Sequence, residues 1–212
     1  MANTLLWHAN VRRLDAESLR DAMLHVAGEL ALTPPEGSVI SSFKDREFDN
    51  RIHPSVDQLS SLHRSVYLPM ARYWAPDMLS EFDLADPSLV VGKRTERTMA
   101  SQSLFLMNSQ FVFDRAKQIS AKIASQPEAD RAALAFRRIL LRDPTVDEAT
   151  QLTVLVKELG EGTTTDTSKS AGGTANAALT ESLKKSVGEN LTAAWQSACQ
   201  TLLMAAEFRY VR

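Results

Sequence analysis

The densest group of charged side chains in this sequence lies in the ten residues from Arg12 to Asp21. Residues three and four apart share one side of an α-helix, so Arg13, Glu17 and either Arg20 or Asp21 would be neighbours. A carboxylate held between arginines there is a candidate for general acid or base catalysis. The same spacing also produces a salt-bridged helix face. We favour this second interpretation because no histidine or metal-binding motif accompanies the group.

A second group of carboxylates, Glu81, Asp83 and Asp86, lies beside Phe82 and Pro87. Hard oxygen donors at such spacing could bind calcium, but the stretch lacks the regular ligand positions and the turning glycine of an EF-hand. Aspartate more often stabilises turns and caps helices. We therefore expect turn formation here and predict no metal site.

Two amides, Gln102 and Asn108, lie among leucine, phenylalanine and methionine. Burial would oblige both to find hydrogen-bonding partners. A helix-capping role explains the position of Asn108 without any ligand.

The single cysteine, Cys199, excludes an internal disulfide and a CxxCH haem attachment, and its helical spacing from Trp195 predicts a buried thiol.

Several classes of function lose their usual support in the sequence. The four histidines form no HExxH motif, and there is no Walker A loop, no GxGxxG and no GxSxG elbow. A net charge of -2 with scattered basic pairs does not favour nucleic-acid binding. No apolar run reaches the length of about 18 residues that a membrane span needs. The start lacks a secretory signal pattern, so we expect a cytoplasmic protein or a piece of a longer exported one.

The elements that must position these residues are mainly helical. Apolar periodicity predicts a helix over 12–32, an irregular excursion over 38–63 and a short edge strand over 64–70. A structured loop with a helical turn at 77–82 follows, then helical sequence over 98–125 with a break at 108–109.

The second half of the chain has clearer helix boundaries. Pro127 begins a helix that ends near 142–144, and Thr145 with Glu148 forms a capping box for a helix that Gly160 closes. Residues 160–176 have the composition of a flexible low-complexity loop, and a last helical region follows with a possible interruption at Gly188. The prediction is a mainly α fold over 1–212: one irregular helical bundle with long structured loops and at most a short edge strand or hairpin.

Several blocks of this sequence, taken together and in order, resemble the domain-of-unknown-function family 1553, a planctomycete-type domain. They are Arg12–Asp21, Arg64-Ser-Val-Tyr-Leu68, Phe82-Asp-Leu-Ala-Asp-Pro87, Val91-Gly-Lys-Arg-Thr95, Gln102–Val112 and the closing segment Trp195–Tyr210. Ala100 stands where the family pattern usually has proline, and the 160–176 loop is atypical in length and composition.

The resemblance implies a setting rather than a reaction. In that family the domain commonly stands at the C-terminal end of long exported proteins, after another uncharacterised domain and often a c-type cytochrome module. It therefore implies an extracytoplasmic location, an upstream domain as partner, and haem c only in an upstream module, with no cofactor in this chain. The family has no established catalytic residues to transfer.

Two hypotheses for the function follow, and whether the chain is an enzyme stays open between them. The first is a non-catalytic structural or interaction module of a surface or periplasmic cytochrome-linked protein. The second is a carbohydrate-binding or hydrolytic domain whose clustered carboxylates and arginines share a cleft. Across both, the candidate binding residues are Arg13, Glu17, Arg20, Asp21, Arg64, Tyr67, Asp83, Asp86, Arg94, Gln102 and Asn108.

Overall fold

The computed structural model describes residues 10–37, 61–68, 75–86, 89–94, 97–162 and 177–211. This part of the chain is mainly helical, with one two-stranded antiparallel pairing, so the predicted fold class is confirmed. The chain divides into two compact units, residues 1–109 with 209–212 and residues 110–208. The single-domain organisation stays a prediction.

The first unit is built around helix α1, Ala16–Ala27. Its first turn is capped by Asp15, whose carboxylate accepts from the Ser18 N–H at 2.8 Å. It ends at Gly28, which has the left-handed φ of 71° that favours glycine at a helix C-terminus. The helix predicted over 12–32 was therefore too long at both ends. Before α1, strand β1 (Arg12–Arg13) pairs with β2 (Tyr210–Val211).

The remaining elements of the first unit are short. A 3₁₀ turn spans Ser65–Tyr67, followed by α2 (Asp77–Glu81) and α3 (Ala100–Asn108). The strand predicted at 64–70 is wrong over its described residues. The Asp21 carboxylate accepts from both the N–H and the hydroxyl of Ser65, which holds a turn that an alternating side-chain pattern does not reveal. The helical turn expected at 77–82 is confirmed.

The second unit contains the longer helices α4 (Gln110–Ala124), α5 (Glu128–Leu140), α6 (Val146–Gly162) and α7 (Ala177–Met204), and the start of the short helix α8 (Ala206–Arg209). Helices α4 and α6 both pack against α7. The fully buried side chains of this core include Val112, Ile119, Ile123, Cys199 and Leu203. These apolar stripes are the ones that the helical spacing predicts.

Helix boundaries in this unit mostly follow the sequence. The break after Asn108 and the capping box are confirmed: Glu148 accepts from the Thr145 N–H at 2.8 Å and its own N–H donates to the Thr145 hydroxyl at 3.3 Å. Helix α6 continues through Gly160 to Gly162, and α7 is continuous through Gly188, so neither glycine ends a helix. The excursion over 38–60 and the loop over 163–176 lie outside the described residues.

Candidate functional site

The first polar group, which we call the Asp83 cluster, consists of Arg13, Asp83, Arg97 and Gln102. Asp83 has a left-handed φ of 65°, a conformation that aspartate tolerates better than most residues. One carboxylate oxygen, Oδ2, accepts from Arg13 Nη1 at 3.3 Å and from the Arg97 N–H at 3.0 Å. The Arg13 and Asp83 side chains are only 9% and 11% exposed, so the ion pair is nearly buried.

Gln102 completes this cluster from α3, with 1% of its surface exposed. Its Oε1 accepts from Arg13 Nη2 at 3.3 Å, and its Nε2 donates to the carbonyls of Glu81 and Arg97, both at 3.1 Å. The prediction that a buried amide here must find partners is confirmed. Through these bonds the side chain joins β1, the end of α2 and the segment before α3.

Aromatic rings pack against the Asp83 cluster. The Arg13 guanidinium lies 5.7 Å from the centroid of the Phe82 ring, a cation–π distance. Phe82 in turn meets Phe105 edge-on, with ring centroids 6.2 Å apart. The Phe82 ring lies against the Arg13 guanidinium, and the low exposure of the ion pair strengthens its electrostatic interaction.

The second polar group, the Arg20 cluster, consists of Arg20, Asp21, Ser61, His63 and Ser65. Arg20 is 3% exposed and donates to the carbonyl of Ser61, to that of His63 at 3.0 Å and to the Ser65 hydroxyl at 3.2 Å. Asp21 Oδ1 accepts from the Ser65 N–H at 2.8 Å and from its hydroxyl at 2.7 Å. These bonds fasten the backbone of 61–65 to α1.

A cleft of about 380 Å³ lies beside the Arg20 cluster, at the start of α1. It is lined by Asp15, Glu17, Ser18, Asp21, Arg64, Ser65, Val66, Leu68 and Leu79. The Arg64 side chain is 54% exposed, and its Nε lies 3.8 Å from Asp21 Oδ2.

The carboxylates of this cleft already have partners. Glu17 accepts two bonds from Arg94, at 2.6 and 2.8 Å, and this interaction raises the pKa of Arg94. Burial alone would raise the pKa of Asp15, but hydrogen bonds from the side chain and backbone of Ser18, with the charges of Arg94 and Arg12, lower it overall. A catalytic acid needs a carboxyl that holds a proton near neutral pH, and Asp15 is shifted in the opposite direction.

The structure thus distributes the predicted binding residues over separate places. Arg13, Asp83 and Gln102 meet in the Asp83 cluster, Arg20 and Asp21 in the Arg20 cluster, and Glu17, Asp21 and Arg64 line the cleft, with Arg94 bound to Glu17.

Three further candidates lie elsewhere. Tyr67 is 40% exposed and is not among the cleft residues, and Asp86 is exposed. Asn108 is exposed and is the last residue of α3, where its amide donates to the Leu104 carbonyl at 2.9 Å, so it lies at the C-terminus of a helix and not at the N-cap position that favours asparagine.

Sequence reasoning missed three residues that form hydrogen bonds in the polar groups of this structure. Arg97 and Ser65 complete the two clusters. The third, Arg142, lies in the second unit, where it bonds Glu148 at 2.7 and 2.8 Å and Glu207 at 2.7 and 2.9 Å. Hydrogen bonds from Arg142, then from the Thr145 N–H, lower the pKa of Glu148 to about 2. The capping-box pattern identified Glu148, but it could not predict that Arg142 also bonds Glu207, which is distant in the sequence.

Other chemistry finds little support among the described residues. Cys199 is fully buried, and burial raises the pKa of its thiol to about 12, so it is not a thiolate nucleophile at neutral pH. Within the described ranges, no group of three or more histidine, cysteine, aspartate or glutamate side chains could hold a metal ion. No described helix is long and apolar enough to cross a membrane.

Comparisons with known proteins place the chain in a family without assigning an activity. No curated protein and no solved structure matches it. A family model described as a protein of unknown function (DUF1553) matches residues 1–156 of the 212, which includes α1 and both polar clusters of the first unit. The chain belongs to this DUF1553 family.

Proposed function

We propose that the chain is a non-catalytic interaction module of an extracytoplasmic, cytochrome-linked protein, and that it packs against the domain upstream of it. The observation that carries this proposal is that the buried polar side chains form hydrogen bonds mainly with other groups of the same protein. The side chains of Arg13, Asp83 and Gln102 form their hydrogen bonds with one another and with backbone groups.

The same holds for the Arg20 cluster. Arg20 bonds two carbonyls and a hydroxyl of 61–65, and Asp21 accepts from Ser65 twice. Catalytic groups need lone pairs or protons left available for a substrate, whereas the hydrogen bonds of these two clusters are made mainly to other groups of the protein. Irregular segments fixed in this way on a helical core provide a rigid surface for another domain.

Co-expression with the upstream domain of a family protein tests this proposal. We expect the tagged chain to retain that domain through affinity purification and gel filtration. The Glu17→Gln variant, altered only in the cleft, should retain it equally well. An upstream domain that elutes separately at every concentration tried would contradict the proposal.

The cleft supports a second candidate function, the binding or hydrolysis of a carbohydrate. Its volume of about 380 Å³ suits a sugar unit, and Glu17, Asp21 and Arg64 provide hydrogen-bonding groups along its lining. Asp83 forms its ion pair with Arg13 in the other cluster. Its substitution therefore reports on folding and not on the cleft.

Titration with soluble polysaccharides, together with an assay for newly formed reducing ends, separates the two candidates. Carbohydrate function predicts that Glu17→Ala abolishes binding while the far-ultraviolet circular dichroism stays unchanged. The interaction-module proposal predicts no binding in the unsubstituted protein and a loss of folding, without a ligand effect, in Asp83→Ala.

A further inference from the structure

Helix α3 presents an exposed stripe that carries no charge. The segment Met99–Gln110 contains no aspartate, glutamate, lysine, arginine or histidine. Four residues of α3 lie at the i, i+3, i+4, i+7 spacing of one helix face, and all four are exposed: Ala100, Ser103, Leu104 and Met107. Leu104 and Met107 are 57% and 56% exposed, although their apolar character predicts burial.

The opposite side of the same helix is firmly held. Gln102 and Leu106 are each only 1% exposed, Gln102 is bonded into the Asp83 cluster, and Phe105 contacts Phe82. The stripe is therefore presented in a fixed orientation, since α3 cannot turn without breaking those bonds.

We propose that this stripe is a docking surface for a second copy of the same chain, with the two α3 helices antiparallel about a twofold axis between positions 103 and 104. In that arrangement residue i faces residue 207 − i of the other copy. Met107 then lies over Ala100, and Leu104 lies over Ser103. Each large side chain meets a small one, so the four residues of the stripe complement themselves.

The absence of charge on the stripe also favours a second copy of this chain as its partner. A charged partner surface would lose its hydration against this stripe without gaining a counter-charge, which is unfavourable. A second α3 introduces no charge at all. Methionine is also enriched, and charged residues are depleted, at the centres of protein interfaces.

The size of the contact sets its strength. A helix of nine residues is about 13 Å long, too short to bury the roughly 1,200 Å² of a stable interface on its own. We therefore expect a reversible dimer with a dissociation constant of roughly 0.1–1 mM. This inference concerns two copies of this chain and does not depend on binding of the upstream domain.

Sedimentation velocity on the full chain, from about 10 µM to about 1 mM, tests the proposal across that range. We expect the weight-average sedimentation coefficient to rise with concentration in the unsubstituted protein. Leu104→Glu should weaken association by more than tenfold, because it buries a charge in the contact. The matched control is Leu141→Glu, since Leu141 is 85% exposed in the other unit.

A mixing experiment tests the register. Ser103→Lys faces position 104 of the other copy, so an equimolar mixture of Ser103→Lys with Leu104→Glu should associate more tightly than either variant alone. Ser101 lies on the same helix but off the stripe. An equimolar mixture of Ser101→Lys with Leu104→Glu should therefore associate no more tightly than either variant alone. Three results would overturn the proposal: a monomer at all concentrations, a dimer insensitive to Leu104→Glu, or equal loss in the Leu141→Glu control.

Discussion

Arg20 shows at the scale of one residue how a buried charge is kept in this protein. Its guanidinium has bonds to two carbonyls and a hydroxyl between positions 61 and 65, and only 3% of the residue is exposed. Lysine keeps the charge but cannot reach several acceptors in one plane. We expect Arg20→Lys to lower the free energy of unfolding by about 2–4 kcal/mol, because buried acceptors lose their donors. Urea unfolding followed by circular dichroism measures this change.

Arg64 provides the control within the same unit. Its side chain is 54% exposed, with only a 3.8 Å approach to Asp21. Exposed ion pairs contribute about 0–1 kcal/mol, so Arg64→Gln should change the stability by no more than that. Equal effects of the two substitutions would show that burial of the Arg20 bonds does not determine their contribution.

Glu148 gives a pH dependence whose direction follows from its hydrogen bonds. Bonds from Arg142 and Thr145 lower its pKa from 4.5 to about 2 in the folded protein. A carboxyl with a lowered folded-state pKa stabilises the fold above the unfolded value, and this contribution is lost as the pH falls from 4.5 towards about 2. The free energy of unfolding should therefore fall more steeply over that range in the unsubstituted protein than in Glu148→Gln. Parallel pH profiles in urea unfolding would contradict this assignment.

The residue types of the polar clusters could be predicted from the sequence, but their pairing could not. The Arg12–Asp21 charges, Asp83 and Gln102 all stand out as polar groups near apolar neighbours. Yet Arg13 lies 70 positions from Asp83 and 89 from Gln102, and helical spacing carries no information over such distances. The local expectation that Arg13 and Glu17 pair along α1 gave way to bonds with Asp83 and Arg94.

At the scale of elements, two glycines with different backbones predict opposite effects of the same substitution. Gly28 ends α1 with a φ of 71°, where a Cβ is strained, so Gly28→Ala should cost about 1 kcal/mol. Gly160 lies within α6, and a Cβ there would meet nothing within 4 Å. Gly160→Ala should therefore stabilise by about 0.5–1 kcal/mol. Thermal unfolding of both variants checks the two signs, and a shift in the same direction would contradict this account.

Helix boundaries were predictable where a local signal fixes them. The capping box at Thr145 and the break after Asn108 are of this kind. The strand predicted at 64–70 failed because a tertiary bond from Asp21 decides the local backbone there. Similarly, Leu104 and Met107 are exposed although they are apolar, because the hydrogen bonds of Gln102 fix the opposite side of α3 inward.

At the scale of the whole molecule, the chain returns to the first unit at its end. Strand β2 pairs with β1, with Arg12 opposite Val211 and Arg13 opposite Tyr210. Deletion of residues 210–212 removes this pairing while leaving the Leu14 N–H bond to the Arg209 carbonyl. We expect the deletion to increase amide hydrogen exchange around β1 and α1 and to leave α4 unchanged. Faster exchange throughout the second unit would contradict its description as a separate compact unit.

We propose that the buried polar side chains stabilise the scaffold and do not transform a ligand. A double-mutant cycle on Arg13→Met and Asp83→Asn, measured by urea unfolding, tests this proposal. We predict that each single substitution destabilises by about 2–4 kcal/mol and that the pair shows a coupling of about 1–3 kcal/mol. Polar groups kept for a ligand commonly reduce stability, so substituting them commonly increases it. Additive effects, or single variants more stable than the unsubstituted protein, would contradict the claim.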